Sequence, residues 1–243
     1  MFEAAGEYPC AVTEGGEEGL ELGFLWCANQ MEDGDVLTLF IPLRSSLRNS
    51  RLLQDWSSYR DVDVVTSRGA SFIRSAGPVL AVWPDMDALG QISRSGSRVK
   101  ALCVAAWVEE WVRPWVTATQ AEVLGDVQVW AEVSASDVDP VVEEAMKGLT
   151  LTVNHNNTIA AGFEKDQVVG TLLVLHDAGY ELDSEELQGW ALANGWTGKN
   201  PKHLARYVRE INSGKRPRTR SMPKSSYLDH LKRKVAGEGS DEE

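Results

Sequence analysis

The sequence predicts an α/β protein, in which a Rossmann-like, mainly parallel sheet is followed by a small all-α, helix-turn-helix-like domain and a basic tail. Three observations lead to this prediction. Short apolar runs of strand length alternate with helical patterns in the first half of the chain. Helix start and stop signals recur from residue 137 onward. Half of the 24 Lys and Arg residues lie between residues 199 and 235.

The predicted strands are apolar throughout, which indicates that they are buried on both faces of a doubly covered sheet. A helix is predicted after Leu43, and a second one begins with Asp85 as its N-cap. A third helix follows Pro114 and ends at Gly125. The predicted strands are residues 20–27, 36–43, 62–67, 77–84, 99–107 and 128–133.

We expect this domain to span residues 15–135, after a flexible N-terminus formed by residues 1–14. That N-terminus has acidic residues where a signal peptide has basic ones, and no apolar run reaches the roughly 18 residues of a transmembrane helix. The three cysteines and four histidines are dispersed, without the spacing of metal ligands. We therefore predict a cytoplasmic protein with no disulfide framework, no membrane contact, no catalytic motif and no cofactor.

Capping signals divide residues 137–214 into four short helices. The last two are predicted to form a helix-turn-helix-like pair, although their connection is longer than the usual three or four residues. The signals, in chain order, are Asp139 with Pro140, Gly179, Asp183 with Glu186, Gly195, Asn200 with Pro201, and Gly214.

Two candidate sites lie where predicted strands end, the edge at which open α/β sheets bind ligands. Hydroxyl and guanidinium groups at the start of a helix are typical of an anion site, but also of an ordinary solvated helix start. The chain contains neither a GxGxxG motif nor a P-loop. The candidate anion-binding residues are Arg44, Ser45, Ser46 and Arg48.

The second candidate is a metal site formed by Asp85 and Asp87 in the stretch WPDMD. Two carboxylates at a strand end are able to hold Mg²⁺ in a phosphoryl-transfer site, with Glu109 or Glu110 as the third acid. Acidic residues also occur at helix starts simply because the helix dipole favours them. One alternative function is therefore a metal-dependent phosphoryl-transfer or nucleotide-binding enzyme, and Mg²⁺ is a cofactor only in that alternative.

Nine tryptophans are many for a chain of 243 residues. Trp107, Trp111 and Trp115 recur every four residues, although Pro114 interrupts a regular helix there. They are explained either by core packing or by an aromatic surface for a partner. A second alternative function is therefore a protein–protein interaction module.

The charge distribution favours a polyanion as the partner. The net charge is −18 over residues 1–198, +10 over residues 199–235 and −4 over the last eight residues. Charge asymmetry of this kind is typical of proteins that bind nucleic acid. It is also explained by an acidic protein partner, or by pairing with the acidic domain of the same chain.

The last helix before Gly214 is predicted to turn Leu204, Tyr207, Val208 and Ile211 inward and a basic face outward. Residues 215–243 are predicted to form a basic, partly disordered arm with an acidic end. We expect the face and the arm to contact phosphate groups, and truncation after Gly214 to weaken that binding. The predicted nucleic-acid-binding residues are Lys202, Arg206, Arg209, Lys215, Arg216, Arg218 and Arg220.

Three stretches, GPVLAVWPDMDAL, VKALCVAAW and GYELDSEELQGWALANGWTGKN, resemble proteins of unknown activity from high-GC Gram-positive bacteria. The resemblance implies no catalytic residues. Together, these observations predict a non-enzymatic binding or regulatory protein whose C-terminal helical unit and basic arm contact nucleic acid.

Overall fold

The computed structural model describes residues 8–67, 73–107, 112–126, 138–152 and 158–237. Within these residues, six strands form one parallel sheet in the order β3-β2-β4-β5-β1-β6. The α/β prediction is therefore confirmed. The strands are β1 Cys10–Glu14, β2 Leu37–Ile41, β3 Val62–Thr66, β4 Gly77–Val82, β5 Val99–Ala106 and β6 Glu122–Val123.

Helices cover both faces of the sheet, as expected for central strands in which every residue except Lys100 is buried. Helices α1 and α2 pack on one face, where Leu20 and Trp56 join the core. Helices α3 and α4 pack on the other, where Leu89 and Trp115 do the same. The helices are α1 Glu17–Asn29, α2 Arg51–Trp56, α3 Met86–Ser93 and α4 Val112–Thr119, and 3₁₀ turns cover Arg44–Asn49 and Gly96–Arg98.

The predicted first strand is wrong, because residues 20–27 lie in helix α1. The strand before it, β1, pairs with β5 and β6 inside the sheet, so the N-terminus predicted to be flexible belongs to the domain from Cys10 onward. Glycines let α1 approach the sheet closely. A side chain at Gly19 would overlap the Glu14 carbonyl oxygen, and one at Gly23 would contact Leu80.

The predicted helix after Pro114 is also partly wrong. Helix α4 begins at Val112, with Pro114 in its first turn, where a missing N–H is tolerated. It ends at Thr119, and the short strand β6 takes the place of its predicted last turns. Trp107 is 59% exposed whereas Trp115 is fully buried, so these two rings do not share a face. The predicted strand 128–133 and Trp111 lie outside the described residues.

In its described residues, the helical unit (residues 138–237) contains five helices around its own core. Asp139 accepts a hydrogen bond from the Val141 N–H, and Asp183 accepts two at the start of α7, so both predicted caps are confirmed. The predicted stop glycines Gly179, Gly195 and Gly214 all have positive φ. The helices are α5 Pro140–Thr152, α6 Gly162–Asp177, α7 Ser184–Ala193, α8 Asn200–Asn212 and α9 Tyr227–Val235.

The helical unit docks tightly on the α/β domain through α7, which packs against α4 and α3. A side chain at Gly189 would overlap the Pro114 carbonyl oxygen, and one at Gly90 would overlap that of Trp196. Leu192 of α7 belongs to the core of the α/β domain. The two parts of the chain are therefore joined by close backbone contacts at glycines.

Residues 215–237 of the predicted basic arm are among those that the structure describes. The arm (residues 215–226) runs back along α6, and α9 then packs on α5. Leu231 of α9 is only 3% exposed and completes the core of the helical unit. The unit predicted to end at Gly214 therefore extends through α9. None of the helices in the described part of the chain combines the length and the apolar character needed to cross a membrane.

Candidate nucleic-acid interface

The two aspartates of the candidate metal site have structural hydrogen bonds. Asp85 caps α3 by accepting from the Ala88 N–H at 2.7 Å. Asp87 accepts from the Gly198 N–H at 2.6 Å, across the interface with the helical unit, and from Gln91 at 2.9 Å. The described ranges contain no group of three His, Cys, Asp or Glu residues placed to hold a metal ion. Glu109 and Glu110, the predicted third acids, lie outside those ranges.

The candidate anion-binding residues lie at the carboxyl end of β2, as predicted. Strand β2 connects outward to β3, whereas its neighbour β4 connects in the opposite direction to β5. This is the switch point at which open α/β sheets bind ligands. Arg44, Ser45 and Arg48 are exposed in the 3₁₀ turn, and Ser46 is half-buried with its N–H bonded to the Leu43 carbonyl.

Helix α8 carries the predicted basic face, with Lys202, Arg206 and Arg209 all exposed. Its buried stripe anchors it, because Leu204, Tyr207, Val208 and Ile211 all belong to the core of the helical unit, as predicted. The charged groups are therefore mounted on a helix whose orientation is set by packing.

Two side chains of α8 hold the loop of residues 158–161. The Tyr207 hydroxyl donates to the Ile159 carbonyl at 2.8 Å, and the Asn200 side-chain oxygen accepts from the Ile159 N–H at 3.1 Å. The Arg206 guanidinium lies over the Tyr207 ring, 4.8 Å from its centroid, and also approaches Glu210 at 3.8 Å. The basic face of α8 therefore lies next to this loop.

The imidazole of His203 lies beside the cations of this face, and its pKa is lowered. Burial lowers the pKa of its imidazole, and the positive charges of Arg206 and Lys199 lower it further. Lys199 was not among the predicted site residues, although its position directly before α8 is a signal that could have been used.

Hydrogen bonds and one ion pair hold the arm against α6. Arg216 forms a bidentate pair with Asp177, at 2.7 and 2.8 Å, which lowers the pKa of that carboxyl group. Thr219 donates from its hydroxyl to the Asp166 carbonyl at 2.7 Å. A side chain at Gly170 would overlap the Ser221 carbonyl oxygen, so the arm fits closely against α6.

An open cleft of about 930 Å³ lies between the arm and the first turn of α6. Lys165 crosses it at one point, where its ammonium group donates to the Arg218 carbonyl at 2.8 Å. Phe163 and Lys165 were not predicted as site residues, and only the fold brings them next to the arm. The cleft is lined by residues 160–163, Lys165, Asp166 and residues 218–221.

The ion pairs of the basic residues stay within the helical unit. Of the seven predicted residues, Arg206 pairs with Glu210 and Arg216 with Asp177. Neither partner belongs to the acidic α/β domain. The other five form no ion pair with any residue in the described ranges, and they are Lys202, Arg209, Lys215, Arg218 and Arg220.

One comparison with known proteins finds a match, in the C-terminal part of the chain. No curated protein and no solved structure matches the sequence. The stretch GYELDSEELQGWALANGWTGKN lies inside the region that a family match covers, whereas the other two resembling stretches precede it. The matching sequence model is described as a domain of unknown function (DUF1889), and its match to residues 138–232 covers α5 to α8, the arm and the first part of α9.

Proposed function

We propose that the protein binds nucleic acid without acting as an enzyme, through a basic surface formed by α8 and the arm. The basic surface consists of Lys202, Arg206, Arg209, Lys215, Arg216, Arg218 and Arg220. The observation that carries the proposal is that five of these cations make no ion pair within the described residues, although the chain as a whole is strongly acidic.

An anchored arm suits this function better than a free one. The Arg216–Asp177 pair and the Thr219 hydrogen bond order its backbone before any ligand arrives. Binding then costs less conformational entropy than it would for a disordered tail. Arg209, Arg218 and Arg220, which form no ion pair with a described residue, are able to form bidentate hydrogen bonds with phosphate oxygens.

The charge of the remaining chain favours one orientation of the ligand. Residues 1–198 have a net charge of −18 and repel a phosphate backbone, whereas residues 199–235 have a net charge of +10 and attract it. We therefore expect binding to be steered toward the basic surface and to depend steeply on salt concentration.

The test replaces the two arginines of the cleft. We expect the double variant Arg218→Ala/Arg220→Ala to weaken binding to DNA or RNA about tenfold for each lost phosphate contact at about 0.1 M salt. The slope of log affinity against log salt should fall by about 2. Fluorescence anisotropy between about 50 and 200 mM salt measures both quantities.

The matched control is Arg51→Ala/Arg60→Ala, which removes the same charge from exposed positions of the α/β domain. This control should retain wild-type affinity. If the wild-type protein shows no binding at low salt, or if the two double variants bind equally, the proposal is wrong.

A second prediction concerns His203. When a polyanion occupies the basic surface, the pKa of His203 should rise, because nearby negative charge favours the imidazolium form. Binding should accordingly become tighter as the pH falls through that pKa. An NMR titration of the imidazole signal, with and without a short duplex, measures the change. The same titration at high salt is the control, and an unchanged pKa in a saturated complex would contradict contact at α8.

A further inference from the structure

We propose that the cleft between the arm and α6 binds an unpaired nucleotide of a single-stranded nucleic acid. Its phosphate would contact Arg218 and Arg220, and its base would stack on Phe163. This inference rests on the proposed function and specifies which form of nucleic acid the basic surface takes.

Phe163 is the first observation. Its side chain is 66% exposed, it lines the cleft, and it does not belong to the core of the helical unit. An aromatic ring beside exposed cations offers a stacking surface for any base, because every base has a flat π face. Phe163 thus supplies a surface for base stacking, which phosphate-binding cations alone do not provide.

The second observation is that hydrogen bonds hold the backbone around Arg218 and Arg220. The Arg218 carbonyl is held by Lys165, and the residues on either side of Arg220 are linked by a hydrogen bond from the Ser221 N–H to the Thr219 hydroxyl at 3.1 Å. Both arginine side chains are nevertheless exposed. The Lys165 ammonium group uses one of its three donors on the Arg218 carbonyl and has no other hydrogen-bond partner among the described residues, so two donors are left for a ligand.

Asp166 places limits on the orientation of the nucleotide. Asp166 also lines the cleft, and a negatively charged carboxylate repels a phosphate, so the phosphate belongs on the side of the arginines. A carboxylate accepts hydrogen bonds from the amino groups of bases. The arrangement therefore directs the base toward α6, where Phe163 lies.

The Phe163 stacking surface favours single strands over duplexes. In a duplex, both faces of each base are covered by neighbouring bases, so the Phe163 ring would find no free face to stack on. The cleft volume of about 930 Å³ is within the range of pockets that hold small organic ligands. An unpaired nucleotide satisfies both conditions.

The experiment compares labelled dT and U oligonucleotides of about 20 nucleotides, longer than a single site, with a duplex of the same length. The wild-type protein should bind the single strands more tightly than the duplex. Phe163→Ala should weaken single-strand binding about 5- to 100-fold and leave duplex binding unchanged. Phe163→Trp should retain single-strand binding, because it keeps an aromatic ring.

The matched control is Leu25→Ala, which removes an apolar side chain that is 60% exposed on α1 and should change neither affinity. Circular dichroism verifies that each variant is folded. If Phe163→Ala leaves single-strand binding unchanged while Arg218→Ala/Arg220→Ala weakens it, the stacking site is wrong and the proposed function stands. If no nucleic acid binds the wild-type protein, both are wrong.

Discussion

Gly189→Ala is expected to destabilise the protein by about 3 kcal/mol or more, with the loss concentrated at the interface between its two parts. The new methyl group would overlap the carbonyl oxygen and carbon of Pro114. Pro114 is buried in the first turn of α4, so the contact can relax only if α7 and α4 move apart. Such a movement would also disturb Leu192, which belongs to the core of the α/β domain.

Urea denaturation followed by circular dichroism measures this loss. Gly148→Ala is the matched control, because Gly148 lies in α5 and a side chain there meets no atom within 4 Å. It should stabilise the protein by about 0.5–1 kcal/mol, since alanine has the higher helix propensity. Equal effects of the two substitutions would show that α7 is not docked closely on α4.

The second large effect is expected for Leu231→Ala. Leu231 is only 3% exposed and fills the core of the helical unit from α9. Truncating a buried leucine costs about 2–5 kcal/mol, because the site loses apolar contacts and a cavity remains. Urea denaturation should show this loss. Val235→Ala, at a side chain that is 44% exposed on the same helix, should change stability by less than about 0.5 kcal/mol.

Because Leu231 lies in the core, nucleic-acid binding is better tested by substitutions than by truncation of the arm. Truncation after Gly214 would remove Leu231 together with the arm, so a loss of binding would report unfolding as well as lost phosphate contacts. Substitutions at Arg218 and Arg220 avoid this problem, because both side chains are exposed. If Leu231→Ala proved as stable as the wild type, α9 would not be part of the core and the truncation would again be informative.

Three predicted caps and one predicted helix face are confirmed, whereas the predicted start of α8 at an Asn200 cap is wrong, because Lys199 is the N-cap and Asn200 lies inside the helix. The caps at Asp85, Asp139 and Asp183 are confirmed because each depends on a side chain and on backbone N–H groups two or three residues away. The inward stripe of α8, including Leu204 and Ile211, is confirmed because a single period along the helix determines it.

Helix α1 was not predictable from local sequence patterns. Residues 20–27 form a short run that is apolar except for Glu21, so their periodicity does not distinguish a buried strand from a helix. The outcome depended on β1, which occupies a position between β5 and β6, and on Gly19 and Gly23, which allow α1 to lie close to the sheet. No short-range pattern carries that information.

The sequence by itself determined the α/β class, the succession of capped helices and the concentration of positive charge after residue 198, because each depends on composition or on neighbours within a few residues. Only the tertiary structure decided where that charge lies. Arg216 meets Asp177, Leu231 enters the core formed by α5 to α8, and Arg220 lines a cleft with Phe163. Each of these contacts joins distant residues, because packing of apolar surface and pairing of charges act through space rather than along the chain.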